Sequence, residues 1–277
     1  YLIQRANANE VLDQFILSRD HKPFNHKTPT AAGHTYFSYG HTFYRASPVR
    51  LYGRIHIDKS NTFIMKEAGF DGLFEIARTC RVPLHTAARF SIGSSMSSIQ
   101  FYQALKDDRL LPRNKKTPEV FKSALDLLVG DRGGFIFEPR VGVHDAVGEV
   151  DFSMYPSLMK KYNISAETIL CNCCPDSDIH IPDLNYHICR KHQGMVPKTV
   201  ELALTKRLTY KRLRDQATDE RQKQIYDRRQ TALKWILVTC FGYLGFSNSK
   251  FGTVDGHIGV CAFAREIFLK STHLAEE

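Results

Sequence analysis

The sequence contains no uninterrupted run of the roughly 18 apolar residues that a helix needs to cross a lipid bilayer. Its first residues, Tyr1 to Arg5, lack the charged and apolar regions of a secretory signal and are typical of the middle of a domain. No Gly-x-Ser-x-Gly frame accompanies the serines between Ser94 and Ser98, so the usual signature of a serine nucleophile is missing. We therefore expect neither a membrane-spanning protein nor a serine hydrolase, and we interpret those serines as a helix start.

Acidic residues are in the minority, with 29 Asp and Glu against 38 Lys and Arg, which gives a net charge of +9. The basic excess is concentrated between Val196 and Lys234, where eleven basic residues accompany five acidic ones. This distribution favours an anionic partner such as nucleic acid, although a solvated helical face would have the same composition. With 277 residues, of which 43% are apolar, the chain can form one large domain or two ordinary ones with a buried core.

Four of the seven cysteines lie between Cys171 and Cys189. Since no secretory signal accompanies them, reduced thiols are expected, and a cluster of reduced thiols suggests a metal site. The spacing C-x2-C-x14-C-x2-H suits a tetrahedral zinc site with three cysteines and one histidine. Its ligands would be Cys171, Cys174, Cys189 and His192. The alternative is a set of free or buried thiols, because Cys173 interrupts the simple spacing.

Hydrophobic spacing predicts two long helices in the basic region. The first extends from Met195 to Gln216, with Pro197 in its first turn. The second extends from Arg221 to Tyr243 and follows a turn and N-cap at Thr218–Glu220. Because the connection is short, we expect the two helices to form an antiparallel hairpin.

Two other segments predict strands. The alternating run Val49–Asp58 is typical of a strand that ends in an acid. Val150–Phe152 has the pattern of the end of a buried strand, and Tyr155–Ser157 that of a helix start. An acid at the end of a strand is a common position for a metal ligand, although a solvated aspartate is equally consistent with this segment alone.

Two blocks of the chain resemble motifs of family B DNA polymerases, most closely those of the archaeal type. Gly133–Leu158 contains GGFIFEPRVG and VDFSMYPSL, similar to the family's GG-aromatic-V-x-E-P-x-x-G and D-F-x-S-L-Y-P-S-I. Arg229–Phe246, RQTALKWILVTCFGYLGF, is similar to the family's fingers motif RQ-x-A-I-K-x-x-x-N-S-x-Y-G-Y-x-G. Two motifs in the right order, joined by a matching helical spacer, are far more specific than either motif alone.

The resemblance implies an α/β (α+β) chain that combines an RNase H-like exonuclease remnant, a polymerase palm and an antiparallel two-helix fingers element. Residues 1–90 would form the remnant, 91–195 the linker and palm with the Cys-rich segment, 196–245 the fingers, and 246–277 the return to the palm. Exonuclease activity is expected to be lost, because Met65 and Gly69 stand where the third exonuclease motif has its Tyr and Asp, and Asp71 is out of register.

The resemblance also assigns site residues. Asp151 would be the catalytic carboxylate that binds Mg²⁺, in a site where two divalent ions hold the attacking and leaving oxygens. The incoming deoxynucleoside triphosphate (dNTP) would be bound by Tyr155, Arg207, Lys211, Lys234 and Phe241. In this assignment the tyrosine stacks under the sugar and excludes a 2′-hydroxyl, and the three cations reach the phosphates. For those cations a solvated helix face is the alternative.

Three departures from the family pattern bear on catalysis. Tyr155 follows Asp151 by four positions, where the family motif has five. The Asn-Ser of the second motif is replaced by Val238-Thr239, and its tyrosine by Phe241. The third motif, which carries further metal-binding acids, is expected beyond Glu277. This segment alone is therefore not expected to polymerise DNA.

Two functions from different classes remain open. The chain could belong to a DNA-directed DNA polymerase whose active site is completed by a polymerase segment that carries the third motif and the thumb. Alternatively, it could be a catalytically inactive family B paralogue that acts as a DNA-binding or replisome scaffold protein. The expected partners are primer–template DNA, dNTPs and a sliding clamp, with no membrane. The expected location is the cytoplasm of a prokaryote, in association with the nucleoid.

Overall fold

A computed structural model of the chain forms two compact units, Tyr1–Asp58 and Lys59–Glu277. It describes residues 2–23, 33–38, 41–45, 51–59, 62–111, 113, 119–131, 138, 141–145 and 154–276. No helix among these residues is long and apolar enough to cross a membrane.

Within its described residues, the first unit has a short helix, a single 3-10 turn and a two-stranded antiparallel hairpin. These elements are α1 (Leu2–Ala8), the turn Leu12–Gln14, β1 (His34–Ser38) and β2 (His41–Arg45). In the hairpin, His34 lies opposite Arg45 and Ser38 opposite His41.

The prediction of a strand at Val49–Asp58 is wrong for residues 51–58, the part that the structure describes. Residues 51–58 form a turn followed by irregular chain, and Gly53 has a φ of 65°. A positive φ of this size is incompatible with extended backbone. The alternation of side chains was therefore misleading, because it said nothing about a partner strand to pair with.

The second unit is mainly helical in its described part. Its elements are α2 (Phe63–Cys80), α3 (Leu84–Ala87), α4 (Ile92–Lys106), α5 (Ala124–Gly130), α6 (Met154–Lys161), β3 (His180–Ile181), β4 (Tyr186–His187), α7 (Met195–Gln216), α8 (Glu220–Gly245) and α9 (Val254–Glu276). β3 and β4 are antiparallel, with His180 opposite His187. The predicted α+β class is confirmed, with helix predominating in the described residues.

The predicted helix hairpin is confirmed as α7 and α8. Asp219 caps α8, since its carboxylate accepts hydrogen bonds from the backbone N–H groups of Arg221 (3.3 Å) and Gln222 (3.1 Å). Such a cap satisfies N–H groups that have no partner within the helix. The N-cap and hydrophobic spacing are local features, which is why the sequence predicts these two helices well.

α8 forms the centre of the second unit. One face of the helix is buried, because its apolar side chains recur at helical spacing. The buried residues of this face are Ala232, Leu233, Ile236, Leu237, Cys240 and Leu244. α2, α4, α7 and α9 pack around it, so α8 holds the surrounding helices in register.

α2 crosses α8 at a close approach that depends on glycine. A Cβ on Gly72 would lie 3.1 Å from both the Ala232 Cβ and the Arg228 carbonyl oxygen. Three residues earlier, Gly69 has a φ of 59° and a ψ of −164°, which kinks α2. The helix can therefore bend around α8 only because glycine occupies both positions.

The helix start predicted at Tyr155–Ser157 is confirmed, since α6 begins at Met154. Ser91 caps α4, whose first turn contains Ser94, as expected from the sequence. The strand end predicted at Val150–Phe152 lies outside the described residues.

Candidate functional site

Three aromatic rings from different helices stack where α6, α8 and α9 meet. Tyr155, in the first turn of α6, lies against Phe241 of α8 with ring centroids 4.3 Å apart and 21° between the planes. His257 of α9 lies against the same phenylalanine at 4.1 Å and 18°. The fold therefore brings together Tyr155 and Phe241, which were predicted from two separate motifs.

The stack is partly enclosed. Burial raises the pKa of the Tyr155 phenol, and the nearby Cys261 and Asp131 add to this effect. His257 Nδ1 lies 3.3 Å from the Phe241 carbonyl oxygen, and its Nε2 lies 3.7 Å from Asp131. The phenol therefore stays neutral at physiological pH and can offer a ring face and a hydroxyl to a ligand.

A strip of α8 leads away from this stack. Lys234, Val238 and Phe241 follow the spacing i, i+4, i+7 and so share one face of the helix. Lys234 is exposed, and Val238 is 56% exposed. Lys234 and Phe241 are separated by about 10 Å along the helix axis. The strip therefore has the Phe241 ring at one end and the Lys234 ammonium group at the other.

Arg207 and Lys211 lie one turn apart on α7. The Arg207 side chain is half-buried, and its Nε is buried without a hydrogen-bond partner among the described residues. Burial lowers the pKa of this guanidinium. A buried donor without a partner is costly, and the Arg229 Nε on α8 is in the same position among the described residues.

The register of the hairpin brings Arg207 of α7 towards the level of Lys234 on α8, whereas Lys211 lies on the other side of Tyr210. Tyr210 of α7 lies 6.1 Å from Tyr226 of α8, and the Arg229 guanidinium lies 5.6 Å from the centre of the Tyr210 ring. Because the helices are antiparallel, moving back from Tyr210 to Arg207 corresponds to moving forward from Arg229 towards Lys234. We call Arg207 and Lys211 of α7, together with Lys234, Val238 and Phe241 of α8, the hairpin face; that they form one surface is a prediction.

Of the eight other cations on α7 and α8, four have acidic partners within the described residues, and four, Arg212, Arg221, Lys223 and Arg229, have none. The pairs are Lys198–Asp107, Lys206–Glu75, Arg214–Asp215, Arg214–Asp227 and Arg228–Asp71. Arg207, Lys211 and Lys234 also form no ion pair with any part of the chain that the structure describes. The three cations of the hairpin face are therefore available to an anionic ligand.

The predicted magnesium ligand, Asp151, lies outside the described residues. Its relation to the hairpin face therefore stays a prediction. Tyr155, four residues later in the chain, belongs to the part of the same motif, residues 154–158, whose position the structure gives.

The Cys-rich segment assembles four thiols. Cys171, Cys173 and Cys174, from one loop, meet Cys189, which follows β4, and their Sγ atoms all lie within 4.8 Å of one another. The exposed His192 side chain is not part of this group. Cys173 joins the predicted cysteines in this cluster, and His192 contributes a backbone N–H 3.4 Å from Cys189 Sγ. Zinc binding by Cys171, Cys174, Cys189 and His192 stays a prediction.

The thiols in this cluster differ in acidity. Hydrogen bonding from the backbone N–H of Arg190, and also of Lys191, lowers the pKa of Cys174 to about 6. The neighbouring thiols of Cys189 and Cys171 raise the pKa of Cys173 to about 12. The loop thus provides one readily formed thiolate beside three further sulfur atoms.

Sequence reasoning missed Cys173 and His257. The run Cys-x-Cys-Cys was visible, but spacing alone does not show which of two nearby cysteines turns inward. His257 had no signal in the sequence, because its role depends on α9 packing beside α8. Its stacking on Phe241 is a tertiary feature.

Comparison with known proteins gives consistent results. The model of the family described as DNA polymerase family B matches residues 93–277. DNA polymerase 2 of Saccharolobus solfataricus is 32% identical over 225 residues, which cover 81% of this chain and 32% of that protein. DNA polymerase 1 of Pyrococcus abyssi is 25% identical over 210 residues, which cover 76% of this chain and 27% of that protein. The chain thus spans about a third or less of the length of these relatives.

A solved structure supports the same fold. The family B DNA polymerase from the hyperthermophilic archaeon Pyrobaculum calidifontis superimposes with a TM-score of 0.57 and 24% identity. The match covers 74% of this chain and 26% of that structure. At this level of identity the comparison bears on the fold alone.

Proposed function

Since this chain belongs to DNA polymerase family B, we propose that it forms the dNTP-binding part of a DNA-directed DNA polymerase. Two observations carry the proposal. Lys234 shares a face of α8 with Phe241, on which Tyr155 stacks. Arg207, Lys211 and Lys234 have no acidic partner among the described residues. Phosphates would supply the negative charge that the described residues do not provide. The segment that carries the remaining acids would complete the active site.

Each residue of the hairpin face has a distinct task in this proposal. Arg207 and Lys211 bind the β and γ phosphates, because a guanidinium and an ammonium one turn apart can reach adjacent phosphoryl groups. Lys234 binds the triphosphate from the second helix. Tyr155 supports the sugar and excludes a 2′-hydroxyl, and Phe241 holds the tyrosine ring in place through their stacking.

Magnesium would be held by Asp151 together with acids of the third motif, and it would stabilise charge on the attacking and leaving oxygens. The contribution of the described residues is electrostatic and steric. They hold the triphosphate in line, neutralise its charge and limit the room beside the sugar. Primer–template DNA is the second substrate, and a sliding clamp is the proposed processivity partner.

The proposed loss of 3′–5′ exonuclease activity has support in α2. Gly69, at a position where a metal-binding acid is expected, carries no side chain and lies at the kink. Asp71, the nearest carboxylate, is paired with Arg228 at 3.1 Å. Asp71 is therefore already engaged by a cation, and neither Met65 nor Gly69 offers a side-chain oxygen to a metal ion.

A second candidate function is an inactive family B paralogue that binds DNA or serves as a replisome scaffold. It is favoured by Val238, an exposed valine on the hairpin face where the family motif has an asparagine. Thr239, the next residue, donates its hydroxyl to the Trp235 carbonyl oxygen at 2.9 Å. Neither side chain then offers a hydrogen bond to a triphosphate.

Primer extension by the full-length protein tests the two candidates. The polymerase proposal expects extension that is lost in Asp151→Ala, strongly reduced in Arg207→Ala and retained in Lys223→Ala. Lys223 is a matched control because it is an exposed cation near the start of α8, away from the hairpin face. Extension that is indifferent to Asp151→Ala would mean that the wrong carboxylate was chosen. Tight primer–template binding without extension, and without tightening by dNTPs, would favour the scaffold.

A further inference from the structure

The four thiols between Cys171 and Cys189 form a compact sulfur cluster that the proposed polymerase function does not use. Cys173 Sγ lies 3.5 Å from Cys171 Sγ, 3.6 Å from Cys174 Sγ and 3.5 Å from Cys189 Sγ. Cys174 and Cys189 are 3.8 Å apart. All four cysteines are free, without a disulfide. Cys173 is therefore in contact with every other member of the cluster.

These separations have the size expected for ligands of one tetrahedral ion. Four sulfur atoms at about 2.3 Å from a zinc ion lie roughly 3.8 Å from one another. A disulfide would need about 2.05 Å between two of them. We propose that Cys171, Cys173, Cys174 and Cys189 bind one zinc ion as a closed, structural four-thiolate site.

The surroundings of the cluster fit thiolate ligands. The backbone N–H groups of Arg190 and Lys191 donate to Cys174, and the N–H of His192 donates to Cys189. Such bonds orient the sulfur atoms and partly neutralise their charge. Four thiolates and one Zn²⁺ carry a net charge of about −2, and the basic pair Arg190-Lys191 lies next to it in the chain. Arg190 is also paired with Asp178.

The zinc ion would fasten the base of the helix hairpin. The Cys189 N–H donates to the Thr168 carbonyl oxygen at 2.7 Å, and Asn163 Nδ2 donates to the Cys189 carbonyl oxygen at 2.8 Å. Asn163 Oδ1 in turn accepts the Gly194 N–H at 2.8 Å, immediately before α7 begins. Hydrogen bonds through Asn163 therefore connect the cluster to Gly194, the N-cap residue of α7.

The same site is accessible to reagents. Cys171 and Cys173 line a cavity of about 930 Å³, together with Glu167, Met195 and other residues of the second unit. We therefore expect a chelator to reach the Cys171 and Cys173 sulfur atoms through this cavity without unfolding the chain. Metal exchange can thus be measured on the folded protein.

The test is metal analysis of the full-length protein, purified under reducing conditions without chelator, with matched ligand variants. We expect one equivalent of zinc in the wild type and in His192→Ala, and loss of zinc in Cys173→Ser. Cys80→Ala serves as a control, because Cys80 is a buried thiol outside the cluster. The cobalt-substituted protein should show the visible absorption of tetrahedral coordination by four sulfur atoms.

A variant that fails to fold is distinguished by a second measurement. Addition of a chelator to the wild type should remove the zinc and lower the melting temperature, and zinc should restore it, whereas neither reagent should affect metal-free Cys173→Ser. Loss of zinc in His192→Ala with retention in Cys173→Ser would overturn the proposal in favour of a site with three cysteines and one histidine. Absence of metal with oxidised cysteines, or iron with inorganic sulfide, would also overturn it. None of these outcomes depends on polymerase activity.

Discussion

Lys206 and Arg207 are neighbours on α7, but only Lys206 has an acidic partner among the described residues. Lys206 Nζ donates to Glu75 Oε1 at 3.1 Å and to Thr79 Oγ1 at 2.8 Å. The Arg207 Nε is buried with no hydrogen-bond partner among the described residues. One cation has its counter-charge inside the fold, and the other has none among the described residues. In the proposed function the same helix therefore serves packing with one residue and phosphate binding with the next.

The Glu75 cluster, made of Glu75, Arg78, Thr79, Lys206 and Tyr210, explains how α2 holds the hairpin. The Glu75 side chain is only 1% exposed. Its carboxylate accepts from the Tyr210 hydroxyl at 2.8 Å and pairs with Arg78 at 2.8 Å. A buried carboxylate with this many donors is fully satisfied, so the cluster has no capacity left for a ligand.

The largest expected effect is that of Glu75→Ala on stability. Removing the carboxylate leaves Lys206 and the Tyr210 hydroxyl without their acceptor, which we expect to lower the free energy of unfolding by about 3–5 kcal/mol. Denaturant unfolding measures the change. Glu67→Ala is the control, because Glu67 is an exposed acid on the same helix. A Glu75→Ala protein of unchanged stability with abolished dNTP binding would show that the cluster belongs to the active site instead.

The contribution of Glu75 to stability should also depend on pH. Burial alone would raise the pKa of Glu75, but hydrogen bonds from Tyr210 and Lys206 outweigh it and lower the pKa below its usual 4.5. The carboxylate therefore stabilises the fold above about pH 4.5, and this contribution is lost as the pH falls through the lowered pKa of the folded state. We expect the stability difference between wild type and Glu75→Gln to shrink on acidification. A difference that stays constant down to low pH would contradict this.

The Arg207→Ala variant tests whether Arg207 binds the ligand rather than stabilises the fold. If phosphate supplies its missing acceptor, the variant should bind dNTP more weakly by about 1.5–3 kcal/mol, roughly 10- to 150-fold in KM. Its stability should hardly fall, since a buried unpaired donor is removed. KM and unfolding are measured on the same preparation. A large loss of stability with an unchanged KM would reduce Arg207 to a packing residue.

Those structural features that depend on local sequence pattern were predicted from the sequence. The two helices, the Asp219 cap and the start of α6 follow from spacing and end signals, which act within a few residues. Arg207, Lys211 and Lys234 came from the motif resemblance, and only the structure shows that they lack acidic partners among the described residues. The partner of Lys206 could not be predicted, because Glu75 is more than a hundred residues away in the chain. Likewise, neither the approach of Cys173 to Cys189 nor the stacking of His257 on Phe241 has a local cause.

Val238→Asn is expected to have a smaller effect, in the direction of a gain. Val238 lies between Lys234 and Phe241 on the hairpin face and is more than half exposed, so an asparagine fits there without repacking. Its amide would add one hydrogen bond to the triphosphate, worth about 0.5–1.5 kcal/mol, which corresponds to a several-fold lower KM. Primer extension at limiting dNTP measures it. The exposed Leu208 on α7 offers Leu208→Asn as the matched control, which should leave KM unchanged.

The Arg228→Ala variant should have the smallest effect. It tests whether a cation with an acidic partner in the fold is structural, whereas one without such a partner binds the ligand. Arg228 lies on α8 like Lys234, but its guanidinium is paired with Asp71 at 3.1 Å, and the arginine side chain is 49% exposed. Exposed pairs of this kind contribute at most about 1 kcal/mol, and salt weakens them. We therefore expect a slight, salt-sensitive loss of stability and an unchanged KM for dNTP. If Arg228→Ala raised KM as much as Arg207→Ala, an acidic partner in the fold would not distinguish structural from ligand-binding cations, and the assignment of the hairpin face would lose its physical basis.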